Sequence, residues 1–247
     1  MVWPYVCIGF AEELEETALL ITVLLSVYNG KPYLAEAIES ILHQTFQDFE
    51  FIIINDGSTD ASWEIIQRYA NQDARIVPII QDNIGLTRSL NRGIQLAKGE
   101  YIARQDADDL SVPTRLELQL PWVADRGYDL CCSRTWLIEA QRPTPRLSFW
   151  LPKRLLMLKQ NPFIHGTYLM RKDLLQELGG YDENFRYAQD YELMTRWLGA
   201  GYSVKYLRDC LYQTRRTPSS ISQSKREEQA EFGKQIRRRW REELWRK

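Results

Sequence analysis

The chain has 247 residues, of which 44% are hydrophobic and 26% charged, and its formal net charge at pH 7 is −1. These proportions exclude a disordered chain and a bundle of membrane helices, and the near-zero charge gives no whole-molecule attraction to nucleic acid. The length suits one domain, 1–247, with a first half at 19–112, a second half at 113–222 and a terminal helix at 223–247.

Residues 1–18 open with an apolar stretch, Val2 to Phe10, that lacks a basic n-region and runs into Glu12, Glu13, Glu15 and Glu16, unlike a secretory signal. The longest apolar run, Ala18 to Leu25, is too short to span a bilayer, so no transmembrane helix is expected. Cys7, Cys131, Cys132 and Cys210 form no CxxC pair, which points away from zinc or a disulfide framework and towards a reducing, cytoplasmic setting.

From Leu19 to Asp109, β-branched runs alternate with helical periodicity, the pattern of parallel βαβ units. Ile21 to Val27 predicts a strand, and Pro32 opens a helix with Leu34, Ile38, Ile41 and Leu42 on one face. His43 closes that helix as a structural residue. Phe51 to Ile54 predicts the second strand, with Ser58, Thr59 and Asp60 as cap candidates for a helix carrying Ile65, Ile66 and Tyr69. Ile76 to Ile80 predicts the third, followed by a helix through Leu86, Leu90, Ile94 and Ala97 that Gly99 ends. Tyr101 to Gln105 is the fourth. Right-handed crossovers put helices on both faces of a mostly parallel sheet and direct ligands to the carboxyl edge of its strands. The segments at that edge are 28–30, 55–60, 82–85 and 106–109, rich in Asp, Asn, Gly and Ser.

After Pro113 the pattern is less regular. Helices are expected at 115–124, 154–159, 172–178 and 190–200, and beyond Pro218 a Ser-rich link leads to a charged helix from Lys225. That helix counts nine Lys or Arg against five Glu, with Phe232, Ile236, Trp240 and Leu244 as an apolar stripe. The stripe either packs on the body or lies on an anionic membrane.

The chemistry-bearing residues are carboxylates. Asp106 and Asp108, in D-A-D-D, suit a divalent ion that takes most of its ligands from a diphosphate, or else form a solvated turn. Asp56, in N-D-G-S-T-D, is placed to meet a base or ribose, or to make an Asx turn. Asp190 opens an amphipathic helix, either as a general base on an acceptor hydroxyl or as a helix cap. His165 lies in a turn-rich stretch where a binding role and no role are both open.

Several ordered motifs, V-L-L-S-V-Y-N-G, then I-I-I-N-D-G-S-T-D, then N-I-G-L-T-R-S-L-N-R-G-I-Q-L-A-K-G-E-Y-I-A-R-Q-D-A-D-D, resemble family 2 glycosyltransferases over about Thr22 to Ser222. The resemblance implies an inverting, metal-dependent enzyme of the α/β class with a GT-A fold. It would move a sugar from a nucleotide diphosphate donor to a hydroxyl-bearing glycan or lipid-linked acceptor, in polysaccharide or lipid-linked glycan synthesis. It implies that Ser26, Tyr28 and Asp56 surround the nucleoside, that Asp106 lies near ribose and diphosphate, that Asp108 ligates Mn or Mg, and that Asp190 is the catalytic base. Gln189 stands where the family commonly has glutamate, and Thr217 where a late segment often has histidine. Arg216 in that segment is a candidate phosphate ligand. Met194 to Trp197 resembles part of the Q-x-x-R-W signature of processive members without its glutamine, which implies one sugar added per encounter. Two other classes share parts of the pattern: a nucleotidyltransferase, for which Tyr28 to Lys31 is a poor phosphate loop, and a non-catalytic carbohydrate-binding module.

Overall fold

The computed structural model describes residues 20–216 and 225–244. The readings made for residues 1–19, for Thr217 and the Ser-rich link, and for the last three residues lie outside that range.

Among the described residues nine strands, numbered in chain order, form one sheet in the order β3-β2-β1-β4-β8-β6-β9-β5, with β7 paired to β6. The first four are β1 (Ile21–Val27), β2 (Phe49–Asp56), β3 (Ile76–Gln81) and β4 (Tyr101–Gln105). All three ladders among them are parallel. Helices α1 (Leu34–Leu42), α2 (Ser62–Ala70) and α3 (Leu86–Leu96) link them. Because β2 is buried along its whole length, its sequence from Phe49 to Ile54 is apolar except for Glu50. The Glu50 carboxylate accepts the Thr22 hydroxyl at 2.7 Å, which satisfies a charge the core would otherwise reject.

Side chains alternating along β1 feed two cores. Leu24 faces Ile52, Ile54, Leu90 and Ile94, while Val23 and Leu25 face Ile38, Ile41, Phe51 and Ile53. Each such fully buried Leu or Ile contributes about 1.5–3 kcal/mol of transfer free energy. Helix α3 lies close because Gly93 faces Leu24, where a Cβ would stand 2.2 Å from the Leu24 Cδ1.

The second half adds strands that periodicity does not reveal: β5 (Leu110–Ser111), β6 (Leu130–Leu137), β7 (Arg142–Thr144), β8 (Leu169–Arg171) and β9 (Val204–Thr214). Strand β8 runs antiparallel to both β4 and β6, so it joins the halves into one sheet whose parallel ladders still carry most of the paired residues. Helix α4 (Arg115–Ala124) matches its expected bounds. The helix expected at 154–159 is the shorter α5 (Lys153–Leu156). Next come α6 (Lys172–Glu177), α7 (Gln189–Gly199) and α8 (Arg226–Leu244).

Other boundary expectations change as well. The N-cap of α2 is Ala61, and Asp60 instead accepts the backbone N–H of Lys31 and of Ser62, tying the turn after β1 to the turn after β2. Helix α3 ends at Leu96, and Gly99 serves close approach, since a Cβ there would lie 2.4 Å from the Thr22 amide nitrogen.

Three residues of the stripe on α8, Phe232, Ile236 and Trp240, pack against the body. Ile236 and Trp240 are 1% and 2% exposed, and Phe232 meets the rings of Phe185 and Tyr187. The Trp240 indole N–H donates to the Arg154 carbonyl at 3.3 Å, and Arg237 donates to that of Lys159 at 3.2 Å. The apolar face that a membrane reading of this helix requires is therefore occupied by the protein itself. Among the described residues no helix is long and apolar enough to cross a membrane.

Candidate active site

The carboxyl ends of β1, β2 and β4 lie side by side, with Ser26 opposite Ile54 and Leu25 opposite Gln105. Asp56 ends β2 and Asp106 follows β4, so the two flank the carboxyl end of β1 from opposite sides. Ser26 is partly buried between them, and Tyr28, just beyond β1, is 55% exposed.

Asp56 is 2% exposed, and its carboxylate accepts three hydrogen bonds: from the Gln81 amide at 2.7 Å and from the backbone N–H of Ile84 and of Gly85, each at 2.9 Å. It therefore fixes the 82–85 loop at the mouth of the site, and both carboxylate oxygens are engaged within the protein. The loop needs glycine at 85, where φ is +90°. The turn after β1 is held as well, because the Asn29 amide oxygen accepts the Thr59 N–H at 2.8 Å while the Ser58 hydroxyl accepts the Asn29 N–H at 2.9 Å.

Asp106 is positioned from three sides. Arg104, buried to 1% in β4, pairs with its carboxylate, and the Tyr212 hydroxyl on β9 accepts its backbone N–H at 2.9 Å. Gly166 faces it so closely that a Cβ would stand 2.8 Å from Asp106 Oδ2 and 2.5 Å from the Tyr212 oxygen. The turn continues through half-buried Asp108 to Asp109, which is 7% exposed and accepts the Arg215 N–H at 2.8 Å. Burial, and next to it the charges of Asp106 and Asp108, push the Asp109 carboxyl well above the usual range. Arg215 also donates to the Asp108 carbonyl at 3.2 Å, pairs with Glu36 and stacks on Tyr33. Arg215, one position before the sequence candidate Arg216, is thus the arginine turned to the D-A-D-D turn. Arg216 is exposed, with its N–H donated to Glu139.

From the second half, Asp190 stands in the first turn of α7, next to Ala188 in the left-handed region at φ +60°. A non-glycine residue there is strained, by about 1–3 kcal/mol, in a way that recurs beside functional groups. Asn161 donates to the Asp190 carboxylate at 2.7 Å. Burial raises its pKa, and the charge of Asp106 adds to the shift. Asp190 opens onto a recess of about 330 Å³ bounded by Lys159, Asn161, Ala188, Tyr191 and Arg237. A further hollow of about 420 Å³, between Asn91, Leu178 and Arg196, holds none of these carboxylates.

His165 sits behind the pair, its Nε2 2.7 Å from the Tyr181 hydroxyl. Burial, reinforced by Arg104, drops its pKa to about 3, so the imidazole is neutral at physiological pH. Tyr181 is held to α3 because the Asn91 amide bonds both its backbone N–H and its carbonyl, each at 2.8 Å. Arg104, Asn91, Tyr181 and Tyr212 escape a search for carboxylates and histidines. The one available sign was an arginine inside the strand just before D-A-D-D.

Known proteins resemble this chain along most of its length. The model of glycosyl transferase family 2 matches residues 22–179. EpsE of Bacillus subtilis (strain 168) is 35% identical over 201 residues, covering 79% of this chain and 72% of that protein. Glycosyltransferase GlyG of Streptococcus pneumoniae serotype 4 is 30% identical over 228 residues, covering 82% and 72%. Among solved structures, Staphylococcus aureus TarS 1–349 in complex with UDP-GlcNAc superposes with a TM-score of 0.69 at 20% identity. The alignment covers 81% of this chain and 60% of that one. A mannosyltransferase from Pyrobaculum calidifontis, in complex with GDP-Man and Mn2+, gives 0.66 at 22% identity, covering 78% and 56%. The chain thus spans less than two thirds of either structure, and at these identities the likeness establishes the shared α/β fold.

Proposed function

The chain belongs to glycosyl transferase family 2, and from that premise we propose that it transfers a sugar from a nucleoside diphosphate sugar to an acceptor hydroxyl, inverting the anomeric carbon, in the synthesis of a surface polysaccharide or lipid-linked glycan. The observation that supports this reading is the short run of contacts between Asp106 on the donor-side edge and Asp190 in the other half: Gly166 lies against Asp106, and two residues on Tyr168 shares the Asn161 amide with Asp190. In this assignment the loops at Ser26, Tyr28 and Asp56 receive the nucleoside, with Asp56 acting mainly by shaping the 82–85 loop. Asp106, oriented by Arg104, meets the ribose and diphosphate. Asp190 takes the acceptor proton as the hydroxyl attacks opposite the departing diphosphate. Its raised pKa makes it a stronger base than a solvated aspartate.

The donor set fits a divalent ion of the Mg or Mn type. Among the described residues no three acidic, His or Cys side chains are arranged to hold an ion by themselves, whereas such an ion needs only one or two carboxylates beside phosphate oxygens and water. Asp108 would hold it, and when bound it neutralises charge on the leaving group.

The test is a panel of nucleotide sugars screened for metal-dependent thermal stabilisation, followed by product analysis. Release of nucleoside diphosphate supports the assignment. Release of pyrophosphate, the mark of a nucleotidyltransferase, or full turnover by a folded Asp108→Ala or Asp190→Asn variant, overturns it.

A further inference from the structure

The segment between β7 and the recess breaks the ordinary rule for apolar side chains. Leu147, Trp150, Leu151 and Leu155 are 84%, 62%, 52% and 61% exposed, and they lie within nine consecutive residues. Single exposed leucines are normal on a protein surface, but four large apolar groups on one short segment mark an interaction surface. The backbone beneath them is firmly held. Phe149 is buried against Tyr206, Lys153 folds inward over both rings and donates to the Ser148 and Leu151 carbonyls, and α8 braces the far side through Trp240 and Arg237.

Charge identifies the occupant. From Arg142 to Lys172 the chain carries seven Lys or Arg and no Asp or Glu, although the molecule as a whole is at −1. Arg146, Arg154 and Lys159 are exposed around the apolar group, and exposed Arg208 stacks on Trp150 at 4.5 Å. Leucines and a tryptophan ringed by guanidinium groups match the headgroup boundary of an anionic bilayer. Apolar side chains enter the acyl region there, the indole sits at headgroup level and arginines meet phosphates. A second copy of this chain would set one basic ring against another.

We propose that residues 147–155 form a membrane-docking face for anionic phospholipid. The same segment runs on to Lys159 and Asn161 at the rim of the Asp190 recess. A docked molecule would therefore hold the recess close to the headgroup layer, where a lipid-linked acceptor carries its glycan. That last step rests on the transferase reading, and docking itself does not.

The experiment is co-sedimentation of the full chain with phosphatidylglycerol–phosphatidylcholine vesicles and with pure phosphatidylcholine vesicles, with no sugar donor present. Binding to the anionic vesicles that weakens with salt is expected. The triple variant Leu147→Ser/Trp150→Ala/Leu155→Ser, which alters only exposed groups, should lower the partition coefficient by at least about tenfold. Unchanged binding by the variant, equal binding to both vesicle types, or a wild-type dimer that the variant abolishes without any vesicle binding would each overturn the proposal. Because the readout uses neither donor nor acceptor, failure here leaves glycosyl transfer standing, and failure of transfer leaves docking standing.

Discussion

The side-chain amide of Asn91 on α3 holds both backbone groups of Tyr181, donating to its carbonyl and accepting from its N–H, each at 2.8 Å. This couples the donor half to the loop that supports His165 and leads into α7. Gly180 permits the approach, with φ +72° and space only for hydrogen beside the Asn91 oxygen.

Asn91→Ala should therefore cost about 1–3 kcal/mol, the penalty for leaving partly buried backbone groups unpaired. Turnover should fall more than stability alone dictates, because His165 and Asp190 lose their frame. Thermal unfolding and kcat, measured below the melting transition, check both.

Asp190→Asn should reduce transfer by roughly 10²–10⁴-fold, the usual contribution of a general base, while the fold persists. The sign of the stability effect is set by the raised carboxyl pKa of Asp190. Between its ordinary value and its folded value the native state binds more protons than the unfolded chain, so this group's contribution falls as pH rises through that window. The Asn variant escapes that penalty, and its unfolding midpoint at neutral pH should match or exceed that of the parent. Activity of the parent should decline as pH drops through the raised pKa, which a pH–rate profile reads.

The chain has two histidines, which makes the imidazole spectrum simple. Burial holds His165 neutral down to about pH 3, so its ring resonances should stay fixed in an NMR titration between pH 5 and 8. Because the folded pKa of His165 lies below the unfolded value, its contribution to stability is complete above the unfolded pKa and is lost as pH falls towards 3. Arg104→Met should raise the His165 pKa and leave Asp106 without its partner.

Asp56→Ala should leave the Gln81 amide and the Ile84 and Gly85 N–H groups without their acceptor. Amide exchange at residues 84 and 85 should quicken, and donor KM should rise before kcat changes. If Asp56 acted only on the nucleobase, exchange at those two amides would be unaffected in the absence of ligand.

Gly166→Ala should push a methyl group into the Asp106 carboxylate and the Tyr212 hydroxyl, an overpacking cost of about 1–3 kcal/mol. Donor affinity, measured by thermal shift with the nucleotide sugar identified in the screen, should drop with it.

The first half of the fold was legible because its physics is periodic. Strands β1 and β4 match their expected bounds, since each is a buried run bracketed by polar turns. Strand β2 extends past the expected Phe51 to Ile54 at both ends, because Glu50 pairs inside the core with Thr22 and Asp56 closes the strand on a hydrogen-bonded loop. The second half hid its strands. Strand β6 reads L-C-C-S-R-T-W-L and β9 reads V-K-Y-L-R-D-C-L-Y-Q-T, both too polar to stand out, and the bulge between Ser133 and Thr135 breaks what alternation remains. The carboxylates were visible as motif residues, but their supports were not. Arg104 and Arg115 are almost wholly buried, which composition alone never suggests. Arg115 is satisfied by the Arg104 carbonyl, Ser111 and Gln119, partners that only the folded chain assembles.

The position of β8, three residues long and inserted antiparallel between β4 and β6, makes it a seam between two kinds of backbone. Upstream, three parallel ladders hold β1 to β4 in register. Downstream, the stretch joining β6 to β8 pairs only through β7 among the described residues, so an added residue at one of its exposed positions would shift no pairing in β1 to β4.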